Sequence, residues 1–371
     1  MADDPDFTLA HDAVLRRSWR EGVRVSIAWG GANERQELLL TEAECGVVPV
    51  LLALATSSMT RDGIEELLAE SIGVQYADAA AIIEHLLLTG LLVSRDGAAQ
   101  KCGWDAYGWS EVGIFERAIW GARFNPDYRA EVAALTPLLE QMTSGPALRA
   151  RSSMPSRGAA VEWERARGQR VVDSVPDVLS RARHLSETEK SPAIPAELIH
   201  AVANEAVAVS ETGQNYLGDY VKRMSPSGGG RHPIETYLIV NRSSGLSPGV
   251  YHVRMRDGSL GSIREGEVDV DELESTFFKK ENVVAAPVIV VLTARWLRHM
   301  MKYRYSRSYR MALLDLGHHA EALMLSASSY GMVSYQCPAL HADRAGTLLG
   351  LPDPYEEEAL YAIGLGLDED I

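Results

Sequence analysis

Met224-Ser-Pro-Ser-Gly-Gly-Gly-Arg-His-Pro-Ile-Glu-Thr-Tyr237 is the stretch on which the reading of this chain turns. Three consecutive glycines, Gly228, Gly229 and Gly230, remove every Cβ, so backbone N–H groups can come close to a flat or anionic ligand. Pro226 and Pro233 stiffen the loop on both sides and lower the entropy lost on binding. Ser227, Arg231 and His232 add donors. No Gly-Lys-Ser/Thr follows, as a Walker loop requires, and the glycines do not open a helix after a strand, as a dinucleotide fingerprint does. Taken alone, such a run serves equally well as a plain turn.

Working outward, the flanking sequence reads as one α+β domain from about Val171 to the C-terminus. Thr236-Tyr-Leu-Ile-Val is a buried strand, and Gly249-Val-Tyr-His-Val starts a hairpin that turns at Asp257-Gly258. Ala286-Pro-Val-Ile-Val-Val-Leu-Thr is a second core strand, with Pro287 where a missing N–H is tolerated. Pro195–Val209 reads as a helix with Ile199, Val202 and Ala206 on one side. Tyr309–Tyr330 is a long helix ended by Gly331. Ala359-Leu-Tyr-Ala-Ile-Gly-Leu-Gly closes the domain as a strand. No internal repeat is present.

The N-terminal third has a different texture. Residues from about 22 to 40 read as paired short strands. Thr41 with Glu44 forms a capping box ahead of the apolar run Val47–Leu54, so a helix starts there. Thr60 and Asp62 can cap a second helix, Ile64–Ser71, and Asp78 begins a third, Ala79–Thr89, stopped by Gly90. Leu91-Leu-Val-Ser-Arg-Asp-Gly then reads as a strand entering a turn. Three helices and a small hairpin are the layout of a winged-helix domain. Thr41–Gly97 carries two basic residues, Arg61 and Arg95, against nine acidic ones. A DNA-reading helix needs the opposite balance, which favours a protein- or peptide-docking module or plain packing. Trp104–Phe124 is rich in aromatics and reads as a helix burying that face between domains. Ser144–Arg170, dense in Arg, Ser, Gly and Pro, reads as a mobile linker or loop. The expected division is therefore 1–110, a docking domain; 111–170, a helical connector and linker; and 171–371, the α+β domain.

The whole-chain figures narrow the function classes. The 371 residues carry 36 Lys and Arg against 51 Asp and Glu, a net charge of −15, which speaks against nucleic acid as a partner. Asp3, Asp4 and Asp6 stand where a signal peptide would be basic. Apolar runs such as Val47–Ala55 and Leu86–Val93 fall short of the roughly 20 residues of a membrane helix. Cys45, Cys102 and Cys337 are widely spaced and odd in number, so a disulfide framework is not expected and a reducing cytoplasm is the default.

Two basic clusters accompany the glycine loop. In Ser180-Arg-Ala-Arg-His-Leu-Ser, Arg181 and Arg183 can grip a phosphate with bidentate bonds, or form a solvated edge. Arg298-His-Met-Met-Lys-Tyr-Arg-Tyr-Ser-Arg-Ser-Tyr-Arg places Lys302 beside Tyr303, two groups that burial and nearby cations can turn into bases. The same run would also suit an ordinary exposed surface. His318 and His319 are sequence neighbours that point to different faces, poor geometry for a shared metal, so no metal site is expected. Cys337 reads as a buried, inert thiol.

Taken in order, Pro226-Ser-Gly-Gly-Gly-Arg-His-Pro-Ile-Glu, Gly249-Val-Tyr-His, Lys302-Tyr303 and Tyr309-Arg-Met-Ala-Leu-Leu-Asp-Leu-Gly-His resemble the SagB/ThcOx type of the nitroreductase superfamily. The resemblance runs from about Val175 to the C-terminus, and the N-terminal module resembles that family's peptide-clamp extension only weakly. It implies a nitroreductase-like domain, a mixed sheet flanked by helices, with FMN as cofactor. It implies oxidation of peptide azolines to azoles during maturation of a ribosomally made peptide. On it, Ser227, Gly228 and Gly229 lie against the flavin ring, and Arg181 and Arg183 hold the phosphate. His232 and Arg310 join the cofactor-binding set, and Lys302 and Tyr303 are the catalytic pair implicated in proton removal. The family's phosphate motif reads like Arg-Arg-Ser-x-Arg, whereas this chain has Arg181-Ala-Arg183-His-Leu. The expected partners are an azoline-containing precursor peptide, a cyclodehydratase and a second copy in a homodimer, in the cytoplasm and away from membranes. An NAD(P)H-dependent nitro or quinone reductase and a non-catalytic scaffold are the competing readings.

Overall fold

In the computed structural model of the protein, the described residues are 7–9, 14–18, 24–29, 36–40, 47–56, 59–89, 91–94, 133, 137, 157–161, 170, 174–182, 191–215, 218–303, 306–352 and 355–367. They divide between two units, Met1–Phe124 and Asn125–Ile371. The aromatic stretch Trp104–Phe124 lies outside the described residues.

In the first unit, β1 (Phe7–Leu9) is followed by an antiparallel sheet of β2 (Val14–Ser18), β3 (Arg24–Trp29) and β4 (Gln36–Leu40). The pair of strands expected near 22–40 is β3 and β4, and β2 extends it. Helices α1 (Val48–Thr56), α2 (Arg61–Ile72) and α3 (Tyr76–Leu88) come next. Thr60 caps α2 by accepting the Gly63 N–H at 3.3 Å, and Gly73 ends it in the left-handed region at φ 68°, its N–H returning to Ala69. The three helices close over Val50, Leu54, Ile64, Leu68, Ile83 and Leu86, spaced three or four apart within each helix. Strand β5 (Leu92–Ser94) pairs antiparallel with β1, 85 or so positions back in the chain. Asp96 and Gly97, where a hairpin turn was expected, lie outside the described residues.

The second unit is built on a seven-stranded sheet. Its strands in chain order are β6 (Ala159–Ala160), β10 (Ile234–Val240), β12 (Gly249–Val253), β13 (Leu260–Glu265), β14 (Val288–Arg295), β15 (Met332–Cys337) and β16 (Glu357–Leu367). Their spatial order is β15-β16-β14-β10-β12-β13-β6, with antiparallel pairings throughout. The parallel pairing among the described strands is the short β7 (Ile194–Pro195) with β11 (Ser243–Ser244), apart from the main sheet. A hairpin of β8 (Glu211–Asn215) and β9 (Gly218–Lys222) leads into the glycine loop. Ala159–Ala160, within the stretch read as linker, thus form an edge strand on β13.

Every residue of β10 and β14 is buried, because helices cover both faces of the sheet. Alternation divides them. Leu238, Val240, Val288 and Val290 join one core with α5 (Ala196–Val202) and α9 (Tyr309–Ser329). Tyr237, Ile239, Ile289 and Val291 join the other, near α6 (Val270–Thr276), α7 (Glu281–Val284) and α10 (Ala342–Leu348). The helix expected over Pro195–Val209 is α5 continued by a wider turn, Ala203–Val207, in which the Ala208 N–H bonds the carbonyl five residues back. Ile199, Val202 and Ala206 lie buried as the periodicity requires. Helix α9 sends Ala312, Asp315, Leu316, His319, Ala320 and Leu323 inward and ends before Gly331, at φ 77°. Helix α4 (Val175–Ala182) and the short α8 (Trp296–Met300) are the other α-helices among the unit's described residues. Trp296–Met300 leads directly out of β14, which places Lys302 and Tyr303 just beyond the end of a central strand.

Candidate functional site: a glycine bend faced by Lys302 and Tyr303

The loop between β9 and β10 bends through residues in left-handed backbone: Gly229 at φ 59°, Gly230 at φ 65° and His232 at φ 45°. Glycine adopts such angles freely, whereas a histidine there is strained by about 1 kcal/mol or more. The surroundings hold it. The His232 N–H donates to Ser227 Oγ at 2.8 Å, and its carbonyl accepts from Arg298 Nη1 at 2.7 Å. Ser227 Oγ donates to Asp315 Oδ2 on α9 at 2.6 Å, and the Gly228 N–H donates to Asp315 Oδ1 at 3.0 Å.

Lys302 and Tyr303 come from 73 residues further along and meet this bend at Gly229. The Lys302 ammonium donates to the Gly229 carbonyl at 3.4 Å, and Arg231 Nε donates to the same oxygen at 3.4 Å. A methyl group on Gly229 would lie 2.3 Å from Lys302 Nζ and 2.3 Å from Tyr303 Oη. Only a residue without a side chain lets both groups reach the bend. Burial lowers the Lys302 ammonium from its ordinary range, and the nearby Arg231 guanidinium lowers it further. That cation comes from the glycine loop. Arg298, in the same basic run as Lys302, is buried and ion-paired with Glu235.

Beneath the loop, Glu235 also accepts from His252 Nε2 at 3.0 Å. Burial alone would raise the Glu235 carboxyl, but Arg298 and His252 outweigh it and hold it at about 2. His232 turns its ring away from the bend, with Nε2 3.1 Å from the Val221 carbonyl, to which it donates. Burial, then the Arg223 charge, lowers that imidazole to about 4, so it is neutral at physiological pH. His232 therefore contributes to the bend through its backbone. Ser227 likewise gives its hydroxyl proton to Asp315.

Arg310 lies in the first turn of α9, the helix that carries Asp315. Arg181 belongs to α4, but its side chain, and Arg183 altogether, lie outside the described residues. His318 is exposed, whereas His319 is buried among Arg223, Ser225 and Thr236, whose Oγ1 lies 2.8 Å from Nε2. Cys337 is buried, its thiol raised by desolvation and its S–H 3.1 Å from the Ala339 carbonyl. Among the described residues no three His, Cys, Asp or Glu side chains group as metal ligands, and no helix is long and apolar enough to cross a membrane. Asp315 is the site residue that motif reading assigned no role. For Asp315 the signal is a lone carboxylate in Ala312-Leu-Leu-Asp-Leu316, on the helix face that turns inward.

With this geometry in view, residues 189–367 match the nitroreductase family model, and they form a nitroreductase-family domain. Over 182 residues the chain is 32% identical to the trifolitoxin-processing protein TfxB of Rhizobium leguminosarum bv. trifolii, covering 47% of this chain and 48% of that one. It thus spans about half the length of that relative. Over 313 residues it is 24% identical to the trifolitoxin operon protein TfxC of the same organism, covering 81% of this chain and 86% of that protein. Among solved structures, the E. coli microcin synthetase McbBCD complex with truncated pro-MccB17 bound aligns with a TM-score of 0.42 and 20% identity, over 65% of this chain and 97% of that one.

Proposed function

We propose that this protein is an FMN-dependent dehydrogenase of the SagB/ThcOx type that oxidises thiazolines or oxazolines in a ribosomally made peptide to the aromatic azoles. The observation that carries the reading is the convergence of Lys302 Nζ and Tyr303 Oη on the Cβ-free Gly229 bend. A bend without side chains suits the face of a flat ring system, and beside it stand the two groups that the reaction needs. FMN, when bound, would supply the acceptor for the electron pair that leaves the azoline as hydride. Ser227, Gly228 and Gly229 would lie against its ring, Arg181 and Arg183 would hold its phosphate, and His232 and Arg310 would join the cofactor-binding set. Lys302 or Tyr303 removes the proton from the neighbouring ring carbon. A lysine pushed below its ordinary range is suited to that work because more of it is neutral near the operating pH.

The peptide substrate class is supported by the names of TfxB and TfxC, which tie both relatives to trifolitoxin. The acidic N-terminal unit, read as a winged-helix-like module, would dock the precursor or a cyclodehydratase. A homodimer is supported by the outer stripe of α9. Leu313 and Leu314 are 39% and 62% exposed there, and a side chain at Gly317 would meet nothing. Nothing in the reading calls for a membrane, nucleic acid or metal, and the cytoplasm is the compartment it fits.

The absorption spectrum of the purified protein tests the cofactor, and anaerobic addition of azoline peptide tests the reaction. Bleaching of a flavin band by the peptide is the expected result, with azole formation lost in Lys302→Ala while flavin stays bound. Bleaching by NAD(P)H but not by peptide would assign a nitro or quinone reductase instead. A colourless protein that takes up no added FMN would leave a scaffold role. Wild-type rates in both Lys302→Ala and Tyr303→Phe would overturn the catalytic assignment.

A further inference from the structure

We propose that Asp315 is the positioning residue that presets the Gly228–Gly230 bend in its ligand-receiving shape; as a statement about flavin binding this rests on the reading above. The carboxylate is 5% exposed and lies 87 or 88 positions from the two groups it binds. Both of its oxygens are committed to the loop, one to Ser227 Oγ at 2.6 Å and the other to the Gly228 N–H at 3.0 Å. The Ser227 oxygen in turn accepts the His232 N–H at 2.8 Å, so the carboxylate reaches both ends of the bend. Between those ends the chain passes through Gly229, Gly230 and His232 in left-handed backbone, a shape that an untethered loop would leave for others of lower energy. Burying a carboxylate is costly unless it is well hydrogen-bonded, and the partners seen on it are these two loop donors. Its natural role is to hold the loop. Ordering the bend in advance removes that entropy cost from ligand binding.

The test uses the full chain and three variants, Asp315→Asn, Ser227→Ala and the double variant, with circular dichroism melts of the FMN-free forms to establish that each is folded. Amide hydrogen exchange on the FMN-free proteins reads the loop directly. In Asp315→Asn the Gly228 and His232 amides should exchange roughly 10- to 100-fold faster, while β10 and β14 keep their protection. FMN titration followed by flavin fluorescence should show affinity weakened by a similar factor, with the bound-flavin absorption bands less resolved. Ser227→Ala should reproduce part of the loss, and the double variant should lose less than the sum of the two single variants, because the Ser227–Asp315 hydrogen bond is counted in both. Unchanged exchange at Gly228 and His232 in Asp315→Asn, or losses in the two single variants that simply add, would overturn the proposal. Should Asp315→Asn fail to fold, Ser227→Ala alone decides on the same exchange readout. A wild-type protein that takes up no FMN would defeat the flavin reading, and the exchange data would still decide the hold of Asp315 on the loop.

Discussion

Gly229→Ala is the sharpest perturbation of the site. The added methyl would sit 2.3 Å from Lys302 Nζ and from Tyr303 Oη, and 3.0 Å from Lys302 Cε. Contacts below 3 Å force a displacement. The lysine end swings aside at little cost, but Tyr303 is tilted against His299 with ring centroids 4.9 Å apart and yields less easily. The backbone adds its own penalty, because φ 59° places the alanine in the left-handed region, at about 1–2 kcal/mol. For a unit of this size that corresponds to a fall in Tm of roughly 2–8 °C. The effect on turnover should be much larger, since moving a reacting group by about 1 Å can cost on the order of 100-fold. Gly346→Ala is the control: that glycine lies within α10, an added methyl meets nothing, and alanine should leave turnover unchanged and stability equal or up to about 1 kcal/mol higher. The assays are calorimetry and the rate of azole formation by mass shift. A Gly229→Ala protein that melts lower but turns over at the wild-type rate would refute the reasoning, because Lys302 and Tyr303 would then not act from where they stand.

Arg231→Gln removes the charge that adds to burial in lowering Lys302, so the rising limb of the pH–rate profile should move upward, toward the ordinary lysine range; a limb that stays in place excludes Lys302 as the titrating base. His232 titrates at about 4 in the fold against 6.5 when unfolded, so its contribution is whole above pH 6.5 and is lost as pH falls toward 4. Unfolding free energies from urea titrations should drop through that window by an amount on the order of 2–3 kcal/mol, and His232→Asn, which tolerates the left-handed backbone, should flatten the limb. Leu314→Arg puts a charge into the exposed stripe of α9 and should convert dimers to monomers in light scattering; an unchanged mass would place any interface elsewhere.

How far the sequence can be read depends on whether the physics is local. The runs at 234–240 and 288–295 announce themselves because a strand buried on both faces is apolar at nearly every position, and both are strands buried throughout. The start of α2 and the end of α9 were equally legible, since Thr60 and Gly331 act within one turn. Strand β15 was not, because Met332-Val-Ser-Tyr-Gln-Cys mixes polar and apolar residues as its place at the sheet edge allows. The partner of β5 was hidden for a different reason: β1 lies across three helices in the sequence, and no local pattern encodes that pairing. The site shows the same division. Motifs identified Ser227, Gly228, Gly229, Lys302 and Tyr303 as its members, but not where their donors are directed. The Ser227 hydroxyl, the His232 ring and the Arg298 guanidinium all bind protein groups, and those commitments become visible only once α9, β9 and β10 are packed together.

The same packing bears on which member of the proposed catalytic pair would take the proton. The loop is held on one flank by a carboxylate, at Ser227 and Gly228, and approached on the other by two cations that share the Gly229 oxygen. Two like charges at one acceptor disfavour full protonation of both, and Arg231 cannot yield its proton, so the loss falls on Lys302. The Tyr303 ring, 5.3 Å from Lys302 Nζ, pulls the other way by favouring the ammonium, but burial and Arg231 prevail in the net shift. If Lys302 is the base, Tyr303→Phe keeps that ring and the lysine environment, and should lose at most about tenfold in turnover, while Lys302→Ala loses the bulk of the general-base factor of roughly 10²–10⁴. If Tyr303 is the base, the order reverses. Single-turnover rates on one azoline peptide, compared at the same flavin occupancy, separate the two cases, and equal losses in both variants would mean that the pair works as one unit through a shared hydrogen bond.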